Sequence, residues 1–281
     1  MSELLTIQIG DGIILNSDEG YGLIEPLVGL DIPPYRTTSF NLSGQDGGVI
    51  PKQFFGMRPI SISGRIFGET GSLYASRRIA LQTALATKQP IDFTIITYDG
   101  RSYVITARVI DFQADITRVK QVGLFKIELL APDPLIYDLT DGSGFSATLV
   151  KAVGGGYTFP YTLPVTWEAG GAPTNVINTG DATVYPTITF TGGTGTNPKV
   201  TNVDTGEFMQ INLTVSPSDI LVVDMKARTV TLNGGNIRAL VEDGSTFWGL
   251  VTGGNLLRLE TDGGSDDLEG VVEWRPGYLG I

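Results

Sequence analysis

Apolar and polar residues alternate with a period of two through most of this 281-residue chain, and that rhythm confines it largely to half-buried β-strands. Leu5, Ile7 and Ile9 alternate with Thr6 and Gln8, and Asp11-Gly12 offers a turn before Ile13 and Leu15, which predicts a first hairpin. Ile60, Ile62 and Ile66 alternate with Ser61, Ser63 and Arg65, and Gly64 inside that run predicts a bulge or a close backbone approach. Phe93 and Ile95 lead into Asp99-Gly100, a dipeptide suited to a type I′ turn, after which Tyr103, Ile105, Ala107 and Val109 return. Phe125, Ile127, Leu129 and Ala131 make a further strand that Pro132 and Pro134 stop.

One segment departs from this rhythm. Between Ser72 and Lys88, Leu73, Ala80, Leu81, Ala84 and Leu85 recur at three- and four-residue spacing, with Thr70 or Ser72 as N-cap. Lys88 suits the C-terminal end of the helix dipole, and Pro90 blocks continuation. Arg77 and Arg78 fall off the apolar stripe and read as a solvated face open to an acidic neighbour.

The second half alternates again. Ile188 and Phe190 are followed by Met209, Ile211, Leu213 and Val215, separated by Gln210, Asn212 and Thr214, which reads as one strand. Asn233-Gly234 supplies another hairpin dipeptide. Strands without a helical pattern point to a β-sandwich. Between Asp138 and Gly156 the alternation lapses into DLTDGSGFSATLVKAVGGG, so the expected organisation is a domain over 1–138, a linker over 139–156 and a second domain over 157–281.

Histidine and cysteine are both absent, which removes the Ser-His-Asp and Cys-His couples, His- or Cys-ligated metal, redox pairs and disulfides. No cofactor and no catalytic residue is expected. Glycoside hydrolysis needs only two carboxylates, but the members of Glu242-Asp243 and of Asp266-Asp267 would point to opposite faces of a strand. Asp262, Asp266, Asp267 and Glu269 lack the alternating spacing of a calcium loop.

The net charge of -11 is unevenly spread: residues 1–138 hold twelve lysines and arginines against fifteen acids, so most of the excess lies beyond them. Neither half has a basic patch, which argues against binding the phosphate backbone of a nucleic acid. The first residues lack the pattern of a secretory signal, and no apolar run approaches the roughly 18 residues of a membrane span. A soluble protein made in the cytosol is the expectation.

Several segments, taken in order, carry a family resemblance. NTGDATVYPTITFTGG from Asn178, NPKVTNVDTGE from Asn197, LVVDMKARTVTLNGG from Leu221 and FWGLVTGGN from Phe247 resemble the C-terminal domain of the distal tail (Dit) proteins of long-tailed siphophages. LDIPPYR from Leu30, Asp46-Gly47-Gly48, MRPISISGRIFG from Met57 and the APDP ending at Pro134 resemble the N-terminal domain of the same family. The family often has Pro where this chain has Thr252. Asn178, Gly180, Asn197, Pro198, Thr205, Gly206, Asp224, Asn233, Gly234, Gly254 and Asn255 read as turn positions, with Asp224 accepting hydrogen bonds from the turn after it.

The resemblance implies a mainly β protein of two domains. The first would be β-sandwich-like, with one helix and an extended hairpin, and the second a galectin-like β-sandwich. It implies a virion protein of the tail tip, a homo-hexameric ring joining the tail tube to baseplate, fibre and receptor-binding proteins, without stable nucleic-acid or membrane binding. Arg77, Arg78, the Asp99-Gly100 hairpin and the segment up to Leu130 are the expected subunit contacts. The rival is a carbohydrate-binding module for host adhesion, with Trp167 and Trp274 as stacking platforms and Trp248 in the core.

Overall fold

The computed structural model describes residues 5–116, 122–140, 145–151, 173–264 and 267–281. The chain divides into two units, Met1–Gly142 with Gly277–Ile281, and Ser143–Pro276. Among the described residues it is mainly β, with one α-helix.

The first unit opens with β1 (Thr6–Ile9), β2 (Ile13–Leu15) and β3 (Tyr21–Val28). A protruding arm follows, made of β4 (Tyr35–Arg36), β5 (Phe40–Asn41), β6 (Gly48–Val49) and β7 (Phe54–Phe55). Then come β8 (Arg58–Phe67), helix α1 (Gly71–Leu85), β9 (Ile91–Ile96), β10 (Ser102–Ala114), β11 (Val122–Ala131) and β12 (Ile136–Asp138). The strands run β2-β1-β9-β10-β11-β8-β3, and the end strands β2 and β3 touch, so the sheet nearly closes on itself. β10 makes the bend: Ser102–Ala107 pair with β9, whereas Arg108–Ala114 pair with β11 across a register shift between Val109 and Asp111. Inside lie Ile7, Ile9, Leu15, Ile60, Ile62, Ile66, Phe93, Ile105, Phe125, Ile127 and Leu129, the inward members of the period-two runs.

Gly64 sits in unbroken register between β3 and β11, so it marks a close approach and no bulge. A Cβ there would lie 2.4 Å from the Phe125 ring and 2.7 Å from the Gly22 carbonyl. The hairpin between β9 and β10 differs from the expected type I′ turn. Gly100 has φ +80 while Asp99 keeps negative φ, and the Gly100 N–H donates to the Thr97 carbonyl at 3.0 Å. This is a type I turn closed by a left-handed glycine, held by the Thr97 hydroxyl and Arg101 on Asp99.

The helix begins as expected, with Thr70 Oγ1 accepting from the Leu73 N–H, but it ends at Leu85, three residues before Lys88. Its buried face is Tyr74, Leu81 and Leu85, while Leu73 and Ala80 are exposed. Arg77 lies on this packed face, correcting the reading that put it on the solvated side. Its guanidinium donates to the Phe67 carbonyl at 2.7 Å, and its own carbonyl accepts from Tyr21 at 2.9 Å. The packed stripe runs through Tyr74 and not Leu73: the Tyr74 ring is buried while its hydroxyl donates to the Asp115 carbonyl.

The second unit opens with β13 (Phe145–Val150), a strand inside the stretch expected to be linker. It continues with β14 (Thr174–Asn178), β15 (Thr187–Thr191), β16 (Gly195–Thr196), β17 (Lys199–Asn202), β18 (Phe208–Gln210) and β19 (Thr214–Val215). β20 (Leu221–Asp224), β21 (Thr229–Leu232), β22 (Gly235–Asn236), β23 (Gly253–Glu260), β24 (Gly263–Gly264) and β25 (Glu269–Trp274) complete it. One sheet runs β13-β25-β15-β20-β21-β22 and another β14-β23-β17-β18; the small sheet β19-β16-β24 stands beside them. Their buried residues, among them Ile188, Phe190, Val223, Val272, Val200, Met209 and Leu257, form the core of the unit. The strand expected over 209–215 is broken. The Leu213 N–H turns back to the Ile211 carbonyl at 3.0 Å, so β18 and β19 join different sheets although Met209, Ile211 and Val215 all remain buried.

The last residues rejoin the first unit, where β26 (Gly277–Tyr278) pairs with Ile136 and Tyr137 of β12. The sequence had assigned 277–281 to the second half. What holds them is Arg58, 1% exposed, which donates to the carbonyls of Gly29, Asp31, Pro134 and Leu279 at 2.7, 2.5, 2.7 and 2.7 Å. Burial draws the guanidinium below its ordinary pKa, with Asp133 and Asp31 opposing that shift. Replacing Arg58→Met would leave these carbonyls buried without a donor, so it should cost about 3 kcal/mol or more of folding stability. Urea unfolding of the two proteins, compared by midpoint at equal slope, checks this.

Candidate functional site

No group of three or more Asp, Glu, His or Cys able to hold a metal ion occurs among the described residues. Glu242 accepts from the Asn212 amide, and Asp262 accepts from the Asn197 amide at 2.8 Å. Asp266 lies outside the described residues. The features that remain among the described residues are turns locked by buried amides and exposed apolar surfaces.

The turns of the second unit are fixed by side-chain amides. Asn178 is buried and donates to the carbonyls of Ala182 and Leu250 at 2.8 and 3.1 Å, while its Oδ1 accepts from the Gly180 N–H. Asn255, also buried, donates to Val251 and Gly253 carbonyls at 2.9 and 3.1 Å and accepts from the Val251 N–H at 2.9 Å. Gly254 beside it is exposed, and a Cβ there would crowd Asn175 Oδ1 at 2.9 Å.

Asn197 holds a left-handed conformation, φ 52, ahead of Pro198, and Thr205-Gly206 closes a turn whose N–H groups cap the buried Asn202. Sequence reading passed over Asn202, although its place before an Asp-Thr-Gly turn is the signal that marks it. Asp224 accepts from the N–H groups of Lys226 and Ala227 at 2.9 and 2.8 Å. Asn233 and Gly234 both take positive φ, the type I′ geometry. The Asn233 amide, followed by the Ser216 N–H, holds the Asp219 carboxyl below its ordinary pKa.

Trp274 is buried and stacked on Phe145 at 5.9 Å, so it presents no open face to a sugar; Trp248 is buried as well. Trp167 lies outside the described residues. The hairpin at Asp99-Gly100 belongs to the main sheet of the first unit, where Phe93, Ile95, Tyr103 and Ile105 point into the core. Arg78, on the helix, is half-buried, and its Nε has no hydrogen-bond partner.

The extended element of the first unit is the arm, whose first strand lies in the LDIPPYR motif and whose tip is at Asp46, Gly47 and Gly48. There the Leu42 N–H donates to the Gly47 carbonyl, and Gly47 takes φ +103. At its neck the Gly56 N–H donates to the Pro34 carbonyl at 2.7 Å. Between these points Tyr35, Phe40, Val49, Ile50 and Phe54 are exposed. A second apolar surface is a groove of about 400 Å³ on the sheet, lined by Val28, Pro59, Ile60, Ile110, Leu129 and Leu130 with Ser61 and Glu128.

Residues 179–278 match the family described as siphovirus-type tail component, C-terminal domain. No curated protein matches the chain. Among solved structures, the chain is similar to the crystal structure of SPP1 Dit, described as a paradigm of the hub adsorption apparatus in phages infecting Gram-positive bacteria. That likeness has 17% identity and a TM-score of 0.72, and it covers 98% of this chain and 99% of the other. It is also similar to a chain of the phage p2 baseplate in its activated conformation with Sr, at 10% identity and TM-score 0.50, covering 96% and 97%. The family match bears out the resemblance carried by the second-half motifs, and the SPP1 likeness extends the shared fold to the first half.

Because the Asn255 amide holds its own turn at Val251 and Gly253 and also donates to the Val176 carbonyl of β14 at 3.4 Å, Asn255→Ala should lower stability by about 2 kcal/mol and Asn255→Asp by a similar amount. Thermal unfolding followed by calorimetry reads this, with Gln82→Ala, on the exposed face of the helix, expected to change little.

Proposed function

We propose, for a chain whose residues 179–278 belong to the siphovirus-type tail component family, that it is the distal tail protein of a long-tailed phage. It builds a hexameric ring at the tail tip, between the tail tube and the baseplate, fibre and receptor-binding proteins. The family match carries this reading. The full-length likeness of fold to a protein described as an adsorption hub supports it.

The physical character of the chain agrees. Its described surfaces offer apolar patches and locked turns and no cleft of convergent acids, which suits docking and not bond-breaking. A ring of identical subunits repeats one heterologous contact until it closes, and so needs two unlike patches on each copy. The arm and the sheet groove are two such patches on the first unit, while the second unit is free to carry other tail proteins. A net charge of -11 per subunit repels the phosphates of a passing genome.

Light scattering and negative-stain imaging, alone and after mixing with the tail tube protein, test the assembly. Closed six-membered rings are expected; a protein that stays monomeric and never joins the tube would end the reading. In a gel-shift assay at low salt no retardation of duplex DNA is expected, and a tight shift would contradict a repulsive channel.

A further inference from the structure

The arm raises a question of stability that its own residues do not answer. Its ladders are two residues per strand, and both β4-β7 and β5-β6 stand apart from the main sheets. Two-stranded ribbons of this kind are marginal in water unless something covers a face. Yet Phe40 is 61% exposed and Ile50 60%, with Tyr35, Val49 and Phe54 exposed beside them. An apolar ribbon this long is a contact surface awaiting its partner.

The groove on β8, β10 and β11 has complementary properties. Ile110 is 62% exposed and Val28 60%, and no residue between Leu30 and Met57 lines it, so the arm does not fill the groove of its own subunit. At its rim Asp111 and Glu128 are direct partners across the two strands. Like charges placed opposite one another repel, and Lys126, 2.6 Å from Glu128, is the ion-pair partner recorded there. One lysine thus serves two acids, Asp111 otherwise accepting from the Gln113 amide at 2.7 Å, and the arm carries further cations. Residues 32–57 hold Arg36 and Lys52 against the single acid Asp46, in a chain that is otherwise acidic. Both cations lie over the Phe54 ring, at 5.8 and 5.5 Å, and neither has an ion-pair partner among the described residues.

We propose that the arm of one copy lies in the groove of the next, its apolar side chains over Val28, Pro59, Ile110 and Leu130 and its cations at Asp111 and Glu128. This rests on the ring reading above and assigns its subunit contact to particular residues. A second copy is the occupant because the chain supplies both halves of the contact, apolar to apolar and basic to acidic, on separate patches. At about 3.3 Å per residue, Tyr35 to Leu42 reach roughly 25 Å, enough to cross onto a neighbouring domain.

The absence of cysteine makes the test clean. Full-length Asn41→Cys and Ser61→Cys proteins are mixed, treated with a short thiol crosslinker, and compared with each protein alone. The expected result is a crosslinked species in the mixture at least tenfold above either single protein. Lys52→Glu should reduce it severalfold, and Lys52→Glu combined with Glu128→Lys should restore it. Closed rings by imaging without this crosslink would overturn the arm-in-groove contact and leave the ring reading standing. No crosslink and no rings, with or without the tail tube protein, would overturn both.

Discussion

The guanidinium of Arg58 is the point on which the first unit is assembled. Four carbonyls from three separate stretches of chain converge on it: Gly29 and Asp31 after β3, Pro134 after β11, and Leu279 at the C-terminus. A buried cation is tolerated only where its donors are satisfied, and here backbone oxygens do most of that work. Gly29 can approach because its φ of +94 and lack of a Cβ leave the space that the Pro59 carbonyl occupies, 2.1 Å from where a Cβ would stand. The Asp133 carboxylate, bonded by the Tyr137 hydroxyl at 2.7 Å, and Asp31 add favourable charge.

This one residue also sets the base of the arm. The chain leaves the core at Gly29 to Asp31 and returns at Arg58, and both points are bound to the same guanidinium. Closing so long an excursion costs entropy, which the anchored root and the Gly56 to Pro34 hydrogen bond offset. The arm therefore projects from a rigid base although its length has no core of its own. The return of residues 277–281 to the same anchor, reinforced by the Ile281 N–H on the Leu30 carbonyl, binds the end of the chain into the first unit.

The second unit is stabilised differently. Its two larger sheets both bury apolar residues, and its turns are fixed by buried asparagines: Asn178 and Asn255 donate to and accept from backbone groups, and Asn202 accepts from the N–H groups of Asp204 and Thr205. A buried amide in the role of a backbone peptide suits a fold whose many strand-to-strand connections would otherwise leave polar groups unpaired. Such turns are held by the side chains of the chain itself. Trp248 and Trp274 are both inside, where they serve packing.

The alternating residues determined by themselves that the chain is mainly β, which side of each strand is buried, and where the helix starts. Ile60, Ile62, Phe125, Ile127 and their neighbours point inward as their spacing demands, because side chains on a strand must alternate. The order of the second-half motifs was enough to bring the family into view. Three things were decided only by tertiary structure. Whether Asp99-Gly100 forms a type I′ turn or a bulged one depends on the register of β9 and β10, a matter of pairing and not of the dipeptide. Arg77 lies inward because Tyr74 supplies the apolar contact, which a count of aliphatic residues does not register. Arg58 and the final five residues come together across more than two hundred positions, and a local pattern carries no information about a partner so distant.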